Sequence, residues 1–175
     1  DHIREKDGLW AVVAWLSILA YANKERPGTS VSDVLQAHYH KYGRNFFSRY
    51  DYEEVDSAGA NAMMNDLRSK FTDPNFIGTS LGAFKAAQAG DFSYTDPIDH
   101  SVSKNQGLYV RMEDGSRIVF RLSGTGSAGA TIRLYVEKYT SVEREYAADV
   151  QQALKPIIQV ALDLSALQRH TGREQ

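Results

Sequence analysis

The chain contains no cysteine, which excludes disulfide bonds and metal sites built from thiolates. It also lacks an excess of charge of one sign, because 20 lysines and arginines stand against 22 aspartates and glutamates, for a net charge of −2. Without an overall basic field, we expect neither a nucleic-acid partner nor attraction to an anionic membrane. Any anion has to be bound by a local group of side chains. The absence of cysteine fits a reducing compartment, and we expect a cytoplasmic protein.

Long apolar runs are scarce as well. The longest, from Gly8 to Ala22, is interrupted by Ser17 and is shorter than the ~20 apolar residues that a membrane span needs. The charged, partly acidic stretch before it does not fit the start of a signal peptide. The run predicts a helix with apolar residues on nearly every side, and such a helix must be covered by other elements. We expect its covering partners upstream of this chain.

Hydrophobic periodicity, caps and turn residues predict the remaining elements. We expect helices over residues 30–42, 58–71 and 142–168. Pro156 should kink the last of them or start a new segment. We expect strands over residues 45–53, 92–95, 108–112, 117–122 and 130–139. The Asp-Gly pair within residues 113–116 predicts a tight hairpin turn, and residues 76–91 show only weak periodicity. Antiparallel strands between helices predict an α+β fold in which the helices cover one face of the sheet.

The most informative segment runs from Arg121 to Arg133 and combines glycines, hydroxyl side chains and an arginine at each end. Glycines allow successive backbone N–H groups to point into one concavity, which favours an anion. Ser123, Thr125 and Ser127 add hydroxyl donors, while the two arginines add planar guanidinium groups that fit a phosphate. The segment therefore predicts a phosphate-binding loop.

The stretch from Gly124 to Gly129 also matches G-x-G-x-x-G, a pattern that indicates a dinucleotide site only between a strand and a helix. Here alternating apolar residues predict a strand on both sides. The two arginines, and not a helix dipole, would therefore supply the positive field. A glycine-rich hairpin without any ligand remains the alternative. It would not explain why each arginine is expected on the opposite face of its strand from the apolar residues.

The same segment resembles the distal phosphate-binding loop of phosphoglucomutases, in the α-D-phosphohexomutase superfamily. Further stretches are similar to that family in the expected order, namely residues 1–10, 43–54, 101–107 and 168–173. The resemblance implies that residues 1–42 are the C-terminal helices of a third, α/β domain. Residues 43–175 would form a fourth, C-terminal domain, with an antiparallel sheet and the phosphate-binding loop.

The resemblance also implies an activity, the reversible interconversion of α-D-glucose 1-phosphate and glucose 6-phosphate. The reaction would pass through a phosphoserine enzyme and glucose 1,6-bisphosphate. Lys6 would contact the sugar phosphate or act as an acid or base, and Arg4 would form an ion pair between domains. The residues that would contact the substrate phosphate are Arg121, Ser123, Gly124, Thr125, Gly126 and Arg133.

Three motifs of the family do not occur in the chain. They are T-A-S-H-N-P for the phosphoserine, D-G-D-G-D-R for Mg²⁺ and G-E-E-S-F-G for sugar recognition. We therefore expect no metal ligands here, Mg²⁺ bound by N-terminal domains of the same protein, and no turnover by this chain alone. A non-catalytic structural or signalling paralogue, a mutase of different sugar specificity and an independent phosphate-binding module remain as alternatives.

Overall fold

The computed structural model describes residues 6–126 and 129–173. It divides into two compact units, one formed by Asp1–Arg44 with Ser141–Tyr146 and the other by Asn45–Thr140 with Ala147–Gln175. That these units correspond to the end of a third domain and to a fourth domain stays a prediction.

The first unit contains helices α1 (Gly8–Glu25) and α2 (Val31–Tyr42) and a 3₁₀ turn at Glu143–Glu145. Both helices begin with a side-chain cap: Asp7 accepts a hydrogen bond from a backbone N–H of α1, and Ser30 forms a capping box at α2. Such caps satisfy the N–H groups that have no partner inside the helix. The helix predicted for residues 30–42 is thus confirmed.

Helix α1 has the apolar character that the sequence predicts, and none of its residues is buried within this chain. Leu9 is 81% exposed, and Val13 and Leu16 are each 60% exposed. A helix with this surface is stable in water only when other elements cover it. The expected upstream partners remain a prediction. None of the described helices combines the length and the hydropathy required to cross a membrane.

The second unit is built on antiparallel pairs of strands. In the described part of the chain, one sheet has the strand order β1-β8-β7-β6-β3-β2, and β4 pairs with β5 in a separate ribbon. The strands are β1 (Arg44–Val55), β2 (Ser80–Leu81), β3 (Phe84–Asp91), β4 (Tyr94–Thr95), β5 (Val102–Ser103), β6 (Leu108–Met112), β7 (Arg117–Gly126) and β8 (Gly129–Thr140). The helices are α3 (Ser57–Phe71), α4 (Val150–Ser165) and α5 (Leu167–Thr171).

The core lies between one face of the large sheet and the helices α3 and α4. Burial alternates along β8, as expected for a strand with one covered face. The buried residues of α3 are those predicted from its helical spacing: Ala60, Met63, Met64, Leu67 and Phe71. The predicted α+β fold with helices on one face of an antiparallel sheet is therefore confirmed.

The structure has strands where the sequence predicted no element, and it shortens the last predicted helix. Residues 76–91, whose periodicity is weak, contain β2 and β3. A bulge between Ala86 and Gln88 shifts the register of β3, and such a shift breaks the alternation by which a strand is recognised. The helix predicted for residues 142–168 begins at Val150 after the Asp149 cap and not at residue 142. Its interruption is not at Pro156, which lies inside α4, but at the left-handed Ala166.

Candidate phosphate-binding site

The arginine-bracketed segment forms a hairpin between β7 and β8. In its register Arg121 lies opposite Arg133, Ser123 lies opposite Thr131, and the pairing continues to Gly126. Residues that lie directly opposite each other project from the same face of a sheet, with Cα atoms ~4.5–5.5 Å apart. The structure therefore pairs the backbones of the two predicted arginines at the base of the hairpin. The side chain of Arg121 lies over Gly107, whereas that of Arg133 lies beside Asp51.

The face on which they lie is the one that the helices do not cover. Phe120 and Ile132, the neighbours of Arg121 and Arg133 along their strands, are fully buried, whereas Arg121 is exposed and Arg133 partly so. The predicted separation of arginines and apolar residues onto opposite faces is confirmed. The open face of the sheet thus presents guanidinium groups to solvent.

The irregular part of this segment is shorter than predicted, because the strands continue to Gly126 and resume at Gly129. Gly124 has a φ of 67°, and the register shifts between Ser123 and Gly126. A positive φ favours glycine, and a bulge reorients the backbone groups on its strand. A bulged strand therefore occupies the position where a loop was expected. Ser127 and Arg4 lie outside the described residues.

Arg133 has an acidic neighbour in β1. Its Nε atom lies 3.7 Å from Oδ2 of Asp51, whose Oδ1 lies 3.0 Å from Nε of Arg49. The Nε atom of Arg133 is buried and has no hydrogen-bond partner among the described residues. A buried donor without a partner is uncommon and costs free energy. The charge of the nearby Asp51 carboxylate offsets part of that cost.

Arg121 lines a groove of about 700 Å³ on the open face of the sheet, together with Gly107 and Tyr109. A Cβ added to Gly107 would lie 3.1 Å from Cγ of Arg121, so the stem of the arginine packs directly over this glycine. Arg121 forms no ion pair with any carboxylate that the structure describes. Its charge therefore remains available to a ligand.

A backbone contact that the sequence did not predict lies at the start of β8. Gly129 has a φ of 94°, and an added Cβ would lie 3.1 Å from the carbonyl oxygen of Val55 and 3.2 Å from Cα of Glu54. The hairpin therefore packs closely on the end of β1. No local pattern in the sequence could have revealed this contact, because the two segments are far apart along the chain.

Lys6 is exposed and immediately precedes Asp7, the N-terminal cap of α1. It belongs to the first unit, whereas the hairpin belongs to the second. The structure thus describes the two parts of the predicted site separately. Within residues 6–126 and 129–173, no group of three or more histidine, aspartate and glutamate side chains could hold a metal ion.

The family is evident from the sequence as a whole. A family model described as the C-terminal domain of Phosphoglucomutase-1 matches residues 44–175. The chain belongs to the phosphoglucomutase family, as its motifs predicted.

Individual relatives agree with this assignment. The chain is 55% identical over 177 residues to Phosphoglucomutase-1 of Homo sapiens, with 99% of this chain and 31% of that protein covered. It is 54% identical over 177 residues to chloroplastic Phosphoglucomutase 1 of Marchantia polymorpha, with 99% and 27% covered. The chain thus spans between 27% and 31% of the length of these relatives.

A solved structure agrees as well. The open form of the exocytosis-sensitive phosphoprotein pp63/parafusin, a phosphoglucomutase from Paramecium, matches with a TM-score of 0.82 and 48% identity. The match covers 99% of this chain and 29% of the solved one. At this similarity the fold of the chain is that of the corresponding part of a phosphoglucomutase.

Proposed function

We propose that the protein to which this chain belongs is an isomerase that interconverts α-D-glucose 1-phosphate and glucose 6-phosphate. A phosphoserine outside this chain would donate its phosphoryl group to the substrate and give glucose 1,6-bisphosphate. The bisphosphate would then return its other phosphoryl group to the serine. The observation that carries the proposal is the cross-strand pair of Arg121 and Arg133 at a glycine-bulged hairpin, in a chain of this family.

In this proposal the hairpin binds the phosphate that does not react. Each charge-assisted hydrogen bond contributes ~1.5–3 kcal/mol, so two guanidinium groups with backbone N–H groups bind a hexose phosphate firmly. Binding energy at a remote phosphate also orients the sugar for reaction, and therefore contributes to turnover as well as to affinity. The residues assigned to this contact are Arg121, Ser123, Gly124, Thr125, Gly126 and Arg133.

The other parts of the site belong to the same proposal. Lys6 would contact the sugar phosphate or transfer a proton, since a nearby phosphate favours the ammonium form that can donate one. Mg²⁺ would be bound by N-terminal domains of the same protein, because the described residues offer no ligand cluster. Glucose 1,6-bisphosphate would be the intermediate and activator, and the protein would work in the cytoplasm.

The experiment is Arg121→Ala in the protein of full natural length, with steady-state kinetics for glucose 1-phosphate. We expect KM to rise by roughly 10- to 100-fold, because one charge-assisted contact to the phosphate is lost. Arg111→Ala is the matched control, since this arginine lines the same groove but lies in β6, away from the hairpin. It should leave KM near the wild-type value.

The outcomes separate the candidate functions. Unchanged kinetics for Arg121→Ala would refute the assignment of the hairpin as the phosphate-binding site. A wild-type protein that binds phosphate but never converts glucose 1-phosphate would be a non-catalytic relative. Faster conversion of another hexose phosphate would place the protein among mutases of different sugar specificity.

A further inference from the structure

The C-terminal end of the described chain contacts the end of β1 through Arg173. The Nη2 atom of Arg173 donates hydrogen bonds to the backbone carbonyls of Glu53 and Glu54, at 3.0 and 3.3 Å. Glu54 has a left-handed backbone, with a φ of 55°, which costs free energy for a residue other than glycine. The guanidinium group thus stabilises a strained strand end.

The same strand end contacts the hairpin that we assign to phosphate binding. A Cβ added to Gly129 would lie 3.1 Å from the carbonyl oxygen of Val55 and 3.3 Å from the carbonyl carbon of Glu54. The peptide between Glu54 and Val55 therefore packs against the start of β8. Gly129 in turn lies opposite Gly126 in the hairpin register, so a shift at this peptide would move the backbone of the hairpin.

Arg173 is positioned by helix α5. Gly172, with a left-handed φ of 66°, ends the helix immediately before it. Helix α5 packs closely on α3, because Nε2 of His170 lies 3.0 Å from Oδ2 of Asp66. A Cβ added to Gly59 would collide with the carbonyl oxygen of His170, so this approach requires a glycine. Contacts therefore connect α3, α5, Arg173, the end of β1 and the hairpin.

We propose that Arg173 is a positioning residue for the phosphate-binding hairpin. By donating to the carbonyls of Glu53 and Glu54, it fixes the peptide on which Gly129 packs, and so aligns the backbone donors near Gly126 with the bound phosphate. This inference rests on the proposed function. Alignment of this kind matters because a displaced donor forms a longer and weaker hydrogen bond to the phosphate, which raises KM.

The test compares Arg173→Ala, Arg173→Lys and the control Arg169→Ala in the protein of full natural length. Arg169 lies on the short helix α5, just before Arg173, and its replacement removes the same charge. We expect Arg173→Ala to raise KM for glucose 1-phosphate by roughly 5- to 20-fold, with a smaller change in kcat. Arg173→Lys should restore part of the affinity, since an ammonium group also donates to carbonyls but lacks the planar fork. Arg169→Ala should behave as wild type.

Three further measurements separate positioning from general stability. Glu53→Gln and Glu54→Gln remove a charge but keep the carbonyl acceptors, so both should leave KM unchanged. In a double-mutant cycle with Gly129→Ala, the effects on KM should be non-additive, because both changes act on one contact. Titration with inorganic phosphate, followed by NMR of glycine-labelled protein, reports directly on Gly126 and Gly129 in each variant.

The outcomes distinguish this inference from the proposed function. If the wild type neither converts glucose 1-phosphate nor shows phosphate-dependent shifts at Gly124 and Gly126, the proposed function fails. If the wild type is active but Arg173→Ala lowers only the Tm and leaves KM and the glycine shifts unchanged, the positioning role is overturned. Should Arg173→Ala not fold, Arg173→Met takes its place, because it keeps an apolar stem but removes the donors. A wild-type KM with unchanged glycine shifts for Arg173→Met would overturn the positioning role equally.

Discussion

Gly107 lies directly against the side chain of Arg121, and a Cβ at this position would come within 3.1 Å of its Cγ atom and 3.3 Å of the carbonyl oxygen of Phe120. Backbone hydrogen bonds fix the approach, since the carbonyl of Gly107 accepts from Phe92 at 2.8 Å and the N–H of Gln106 donates to the carbonyl of Phe92 at 2.9 Å. The family-like stretch 101–107 thus ends in the residue that determines where the stem of Arg121 can lie.

This contact predicts the effect of Gly107→Ala. The added methyl group would displace the stem of Arg121, and we expect KM for glucose 1-phosphate to rise by roughly 3- to 10-fold, with little change in kcat. The effect should vanish in an Arg121→Ala background. Gly90→Ala is the matched control, because the nearest atoms to its methyl group would belong to the phenol group of Tyr109, at 3.3–3.4 Å. Equal KM values for Gly107→Ala and wild type would show that Arg121 is not positioned by this glycine.

At the scale of elements, an ion pair joins helix α2 to the 3₁₀ turn. Nε2 of His40 lies 2.9 Å from Oε1 of Glu143, while Nδ1 lies 2.7 Å from the carbonyl oxygen of Gln36. The hydrogen bond to the Gln36 carbonyl and the charge of Glu143 raise the pKa of His40 above its ordinary value of 6.5. Both side chains are largely exposed, so water screens the pair and its contribution to stability is small.

The raised pKa sets the direction of a pH effect. Protonated His40 is favoured in the folded state. Its stabilisation of the fold is therefore fully present below pH 6.5 and is lost as the pH rises through the higher folded-state pKa. Glu143→Gln should lower the pKa of His40 towards 6.5 without reaching it, since the larger cause, the hydrogen bond to Gln36, remains. An NMR titration of the imidazole checks this, and an unchanged pKa in Glu143→Gln would contradict it.

The elements also show which features a sequence can predict. The buried stripe of α3 and the alternation around Arg121 were correct, because each follows a local period that one covered face imposes. Strand β3 was missed because its bulge breaks that period. The contact between Gly129 and Glu54 had no local signal at all. Such contacts depend on which distant segments pair. The composition and residue spacing of one segment do not determine that pairing.

At the scale of the whole molecule, the chain contains the hairpin that we propose to bind phosphate but not the family's phosphoserine motif. We therefore expect the 175-residue chain to bind inorganic phosphate weakly and to leave glucose 1-phosphate unchanged. Phosphorus NMR of a mixture with glucose 1-phosphate measures both properties. Formation of glucose 6-phosphate by the chain alone would mean that the nucleophile lies within these residues. It would contradict the proposal that the phosphoserine lies outside this chain.

The exposed helix α1 has a practical consequence for spectroscopy. Both tryptophans of the chain, Trp10 and Trp15, lie on it, with exposures of 53% and 38%. Their fluorescence therefore reports the surroundings of one helix. Unfolding of the sheet around the hairpin should change the tryptophan emission very little. A blue shift on going from the isolated chain to the longer protein would directly reveal that α1 has become covered.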